Sequence, residues 1–119
     1  ERPVRIASAI VFVLVLVGVI FSEKENIIPY AEQAGVITFI LNVLTMGIGM
    51  LIATFMKLSP RQALSISIES GIQNGTLAIA IATGLLMNTE YAIAPAVYSL
   101  IMFFTASLVI IWGIKESKQ

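Results

Sequence analysis

The chain has no cysteine and no histidine. The first absence excludes disulfide frameworks, thiol catalysis and thiolate metal sites; the second excludes imidazole acid–base chemistry and zinc sites that need it. Charge is scarce as well. Asp, Glu, Lys and Arg make up 12% of the residues, against about 25% in a typical soluble domain. Formal net charge is zero, and no basic cluster is present of the kind that holds nucleic acid or anionic lipid. Hydrophobic residues account for 58% of the chain and fall into long runs rather than short amphipathic ones. So little polar surface cannot cover so much apolar surface in water, and the pattern predicts an integral membrane protein.

The runs predict four transmembrane helices, at about residues 4–21, 36–56, 61–87 and 92–114, in one all-α membrane region spanning 1–119. The first run follows Arg2 and Arg5, as a signal peptide would. Ser22-Glu23-Lys24-Glu25 stands where a small-residue cleavage site belongs, so the run reads as a retained span. Ser59-Pro60-Arg61-Gln62 combines an N-cap Ser, a Pro at the first helical position and a Gln three residues after the cap, which predicts an abrupt start to the third span. Asn88-Thr89-Glu90 offers a similar cap to the fourth, and Pro95 falls in its first turns, where a missing N–H is tolerated. Residues 22–35 form the one long connection, with Ile27, Ile28, Pro29 and Tyr30 expected at the membrane surface.

Positive charge predicts the orientation. Arg2, Arg5, Lys57, Arg61, Lys115 and Lys118 fall on one side of the four spans; only Lys24 falls on the other, among Glu23, Glu25, Glu32 and Glu90. The basic side is cytoplasmic by the positive-inside rule, which puts both chain ends inside. Tyr30, Tyr91 and Trp112 fall near expected interfaces.

The third span carries the chemistry. Glu69-Ser70-Gly71-Ile72-Gln73-Asn74-Gly75-Thr76 sets a carboxylate, two amides and two glycines between apolar runs. A charge near the bilayer centre costs roughly 2.5–3.5 kcal/mol on insertion scales, so such a residue faces a partner, an ion or water. Arg61, the nearest basic residue, is eight positions back, roughly 12 Å along a helix. On a continuous helix Glu69 and Gln73 share a face and Asn74 points about 100° away. The three converge if the helix unwinds near Gly71 and Gly75, which also frees backbone carbonyls. Carboxylate, amide and carbonyl oxygens suit a hard cation, and discontinuous helices at mid-membrane recur in secondary transporters. Other readings stay open. Gly71 and Gly75 form a G-x-x-x-G pair suited to close helix packing, and Gln73 and Asn74 can act as interhelical hydrogen-bonding groups. Gly47 and Gly49, with Asn42 and Thr45 nearby, suit close packing of the second span on the third. Thr105 and Ser107 are expected to bond carbonyls of their own helix, and the Met residues to fill core gaps.

The string Glu69-Ser70-Gly71-Ile72-Gln73-Asn74, after a Pro-initiated span and before a small-residue run to Ala82, resembles the penultimate helix of the bile acid:sodium symporter family. The resemblance implies a ten-span fold of two inverted five-helix repeats, each with a broken core helix, of which this chain would hold the last four spans. It implies that Glu69 ligates sodium and bridges two neighbouring sites. Gln73 would add its side-chain oxygen, with backbone carbonyls at Ser70 and Ile72. Asn74 and Thr76 would face the substrate, a bile-acid-like or smaller organic anion carried with Na+ by alternating access. Met46, before Gly47, departs from the polar residue that many relatives have there.

The lack of an initiator Met and the half-site both lead to the expectation of a fragment, with the remaining spans upstream and no transport by this chain alone. The expected location is a bacterial inner (plasma) membrane. Enzymatic activity is not expected, since one lone carboxylate has no second catalytic group. Two alternatives compete: a complete four-span, proton-coupled dimer like the small multidrug resistance proteins, whose essential Glu lies in the first span, and a non-transporting subunit whose Glu69 pairs with a basic residue of a partner helix.

Overall fold

The computed structural model describes residues 2–116, with the side chain of the last excepted, so the expectation placed on Lys118 lies outside the described residues. All regular structure among them is helical. Five α-helices run α1 (Arg2–Ser22), α2 (Ile27–Phe55), α3 (Pro60–Gly71), α4 (Gly75–Ala80) and α5 (Ile93–Glu116); a π-helical turn (Ile81–Leu85) prolongs α4 and a 3-10 turn (Glu90–Ala92) leads into α5. Three segments are long and apolar enough to cross a membrane: Arg2–Ser22, Ile27–Phe55 and Glu90–Lys115. The third expected span is discontinuous, as its sequence implies: two short helices, α3 and α4, interrupted at residues 72–74.

The start of α2 corrects the sequence reading. The long connection over 22–35 is absent: a turn at residues 23–26 suffices and the helix begins at Ile27, nine residues before the expected 36. Pro29 is no obstacle, since it occupies the first turn, where N–H groups lack intrahelical acceptors. In the turn, Asn26 and Ile27 both donate backbone N–H groups to the Glu23 carbonyl (2.9 and 2.7 Å), and Asn26 Nδ2 donates to the Glu23 carboxylate (3.3 Å). At 29 residues, α2 is about 43 Å long, more than the ~30 Å of a bilayer core.

The start of α3 matches the sequence. The Gln62 N–H donates to Ser59 Oγ (3.4 Å) and the Ser59 N–H to Gln62 Oε1 (3.0 Å), a reciprocal capping box with Pro60 at the first helical position. Before α5 the expected Asn88-Thr89-Glu90 segment does supply a cap, through Asn88. Thr89 makes no side-chain cap; Asn88 Oδ1 accepts the Glu90 N–H at 2.9 Å.

The two halves of the broken segment, α3 and α4, together run antiparallel to α2 and α5, and packing contacts tie the helices end to end. Gly113 near the end of α5 lies against Leu64 near the start of α3. A cluster of Leu16, Val19, Ile79, Ala82, Ala92 and Ala96 joins the end of α1, α4 with its π-turn, and the 3-10 turn with the start of α5 at the opposite pole, with Phe12 and Val15 packed on it. Phe12 meets Phe103 edge-on at 5.8 Å between centroids. Arg61 and Lys115 thus lie toward one pole, Glu23 and Glu90 toward the other. Outward faces are largely apolar: Leu14, Leu51, Phe104 and Ile111 are each more than 60% exposed. A surface this apolar is compatible with lipid. Of the five methionines, Met46 and Met102 are buried, whereas Met56 and Met87 are exposed at the helix ends, not core filling.

Candidate functional site: a helix broken at residues 72–74

Side chains of α2 and α5 meet the backbone at the break, and no glycine there takes a left-handed conformation. No glycine among the described residues has a positive φ. Ile72 leaves α3 in an extended conformation (φ −87°, ψ 118°), and Asn74 stands before α4 with φ −79° and ψ 78°. Both glycines serve close packing instead. A Cβ on Gly71 would overlap the Met46 side chain of α2, and one on Gly75 would overlap Ser99 of α5. The G-x-x-x-G pair is therefore a packing pair with two different partners, one on each side of the break. Gly49 has the same role toward Ser70, whereas Gly47 faces open space.

The backbone groups released by the break find partners. Gln73 donates its N–H to Met102 Sδ (3.3 Å), and Asn74 Oδ1 accepts the Leu77 N–H (3.0 Å) as the N-cap of α4. The Gly71 carbonyl accepts from Asn42 Nδ2 (2.9 Å) and from the Tyr98 hydroxyl (3.0 Å). Asn42 is fully buried and Tyr98 nearly so. The second hydrogen of Asn42 Nδ2 goes to the Tyr98 oxygen (3.2 Å), and the Thr105 hydroxyl donates to Asn42 Oδ1 (2.5 Å). Thr105 thus bonds across helices, beyond the expected contact with its own Ile101 carbonyl (3.0 Å); Ser107 stays within its helix, on Phe103 (2.7 Å). A further link joins α3 to α2, from Ser67 Oγ to the Met46 carbonyl (2.8 Å). Among the described residues no buried side-chain polar atom lacks a partner.

On the outward side of the break, Glu69, Gln73 and Asn74 line one open recess of about 570 Å³, with Ser65, Ile68 and Ile72. The sequence expectation that a broken helix brings the three together is met to this extent. Their free atoms differ. The exposed Glu69 carboxylate has no hydrogen bond or ion pair with a described residue. Gln73 Nε2 donates to the Ser70 carbonyl (3.3 Å), which leaves Oε1 open. The Ser70 hydroxyl is bound to the Ile66 carbonyl (2.7 Å). Asn74 has its oxygen committed to the cap, so only Nδ2 is available. Thr76 is not brought to this recess; it lines a separate one of about 600 Å³ between α1 and α5, together with Phe12, Met102 and Phe103. Gln73 and Asn74 border both, and also a third recess beside Thr38 and Tyr98.

Sequence reasoning missed the buried network. Asn42 showed the same signal as Glu69, a polar group amid an apolar span, and Tyr98 falls inside α5 away from the expected interfacial aromatics. Three or more His, Cys, Asp or Glu residues never cluster among the described residues, so the oxygen donors here are one carboxylate, amides and carbonyls. In comparison with known proteins, no family model, curated protein or solved structure matches this chain.

Proposed function

We propose that the protein is a sodium-coupled symporter of an organic anion, a bile-acid-like molecule or a smaller carboxylate or sulfonate, working by alternating access from a plasma membrane. The observation that carries the proposal is the break at residues 72–74, where a Glu69 carboxylate and a Gln73 Oε1 with no partner among the described residues border one recess on a chain whose outward faces are largely apolar. An intramembrane carboxylate without a cationic partner calls for one, and oxygens alone favour a hard cation over a transition metal. The likeness of the E-x-G-x-Q-N string to the bile acid:sodium symporter family supports sodium. In this reading Glu69 and Gln73 hold Na+ with the carbonyls of Ser70 and Ile72. Asn74 turns Nδ2 toward the anion, the one polar end its capping role leaves free, and Thr76 borders the path from the α1 side.

Sodium entering down its gradient supplies about 2.3 kcal/mol per charge per 100 mV, besides its concentration difference. The negative Glu69 offsets the ion's charge while the anion binds nearby. The recess is walled by α3 and the break, and in this reading further spans of the same transporter form its opposite wall. Both chain ends lie on the cytoplasmic side in this arrangement, and no covalent chemistry takes place.

The test is sodium-22 binding by the purified protein, followed by uptake of labelled organic anions into liposomes that hold the transporter with its upstream spans. Uptake should require an inward sodium gradient. Uptake driven by protons and indifferent to sodium would favour a small multidrug exporter instead. A basic partner helix, co-purifying in equal amount and with no cation binding, would favour a non-transporting subunit.

A further inference from the structure

An α-helix that stops leaves its last four carbonyls without intrahelical partners. The common local remedy is a left-handed residue just past the end, which folds the chain back to cap them. The end of α3 has no such residue: Lys57 and Met87, far from the break, are the described non-glycine residues with positive φ, and no glycine has one. Its terminal carbonyl, on Gly71, is instead capped from two other helices, by Asn42 of α2 and Tyr98 of α5.

This cap is saturated. Asn42 Nδ2 uses one hydrogen on Gly71 and the other on Tyr98, and Asn42 Oδ1 is held by Thr105. None of the three borders the Glu69 recess. They act on it through the backbone. If the Gly71 carbonyl were released, α3 would be free to continue into residues 72–74, and each residue added to a helix turns the next side chain by about 100°. Gln73 and Asn74 would then lose their present placement relative to Glu69.

We propose that Asn42, Tyr98 and Thr105 form a latch that holds the helix break open and so sets the cation affinity and selectivity of the Glu69–Gln73 recess without touching the ion. They are positioning residues, and the inference rests on the cation-binding reading above. A buried, fully satisfied polar network is suited to this task because such networks rigidify the structure around them.

The test uses Tyr98→Phe, which keeps the ring and removes one hydroxyl, with Thr105→Val as a second, milder variant should the first fold poorly. Two quantities are measured on the full chain in detergent micelles: amide hydrogen exchange, residue by residue, and titrations with sodium and with lithium. Loss of one hydrogen bond to a buried carbonyl should speed exchange over residues 72–77 about tenfold, with α1 unchanged. Sodium should bind several-fold more weakly, and the lithium-to-sodium affinity ratio should shift, since a relaxed cage grips ions of different size differently. Exchange that rises evenly along the chain, with an unaltered lithium-to-sodium ratio, would mean general destabilisation and overturn the latch. If the unmutated protein binds neither ion, the cation reading fails and takes the affinity role with it. Local exchange at 72–77 then decides separately whether the three residues hold the break.

Discussion

Gly75 and Ser99 approach so closely that a methyl group on Gly75 would overlap the Ser99 hydroxyl. That contact seats the first residue of α4 on α5 one residue past the break. Gly75→Ala should therefore destabilise the fold by about 1–3 kcal/mol, the usual range for overpacking a buried contact. Removing the hydroxyl as well, in Gly75→Ala with Ser99→Ala, should recover part of the loss. A double-mutant cycle of denaturation midpoints in detergent measures the coupling, and strictly additive losses would contradict the contact.

Gly47 offers the opposite expectation. Nothing lies within 4 Å of a Cβ built there, and the residue sits inside α2. Gly47→Ala should raise stability by up to about 1 kcal/mol through helix propensity alone. A loss of similar size would mean that this face is covered by another chain segment.

Glu69→Ala should separate binding from folding. The carboxylate makes no bond to a described residue, so the melting temperature should hold within a few degrees while sodium binding disappears. Unchanged sodium binding in a folded variant would remove Glu69 from the site.

Asn74 has two jobs that one pair of variants can divide. Its oxygen caps α4 through the Leu77 N–H, and its Nδ2 is free. Asn74→Ala should cost about 1 kcal/mol through loss of the cap and speed exchange at Leu77. Asn74→Asp keeps an acceptor at the cap and replaces the free donor with negative charge, so stability should hold while organic-anion binding weakens. Equal anion binding in both the Asp variant and the parent would exclude Asn74 from the substrate contact.

The capping box before α3 is the plainest stability prediction. Ser59→Ala removes the acceptor of the Gln62 N–H and should lower stability by about 0.5–2 kcal/mol, measured by denaturation in detergent. The effect should be confined to the first turn of α3, with sodium affinity unaltered.

Much of this architecture was legible in the sequence because its causes are local. Long apolar runs, a Ser-Pro-x-Gln start and a carboxylate stranded amid apolar residues each act within a few positions, and α1, α5, the start of α3 and the broken third segment follow from them. Where local cues were misread, the physics was still local: residues 27–35, Pro29 among them, read as a surface connection and are the first turns of α2.

What the tertiary structure alone decided is how the break is held. The glycines at 71 and 75 suggest loosened backbone when read along the chain, yet their φ angles are ordinary and their need for small size comes from Met46 and Ser99. The cap on Gly71 joins Asn42 and Tyr98, positions 29 and 27 residues away in sequence. No periodicity or spacing encodes such a pairing, because a hydrogen bond between helices depends on their relative depth and rotation. Those are set only when the apolar faces have packed, and only then does the carbonyl that ends α3 acquire its partners.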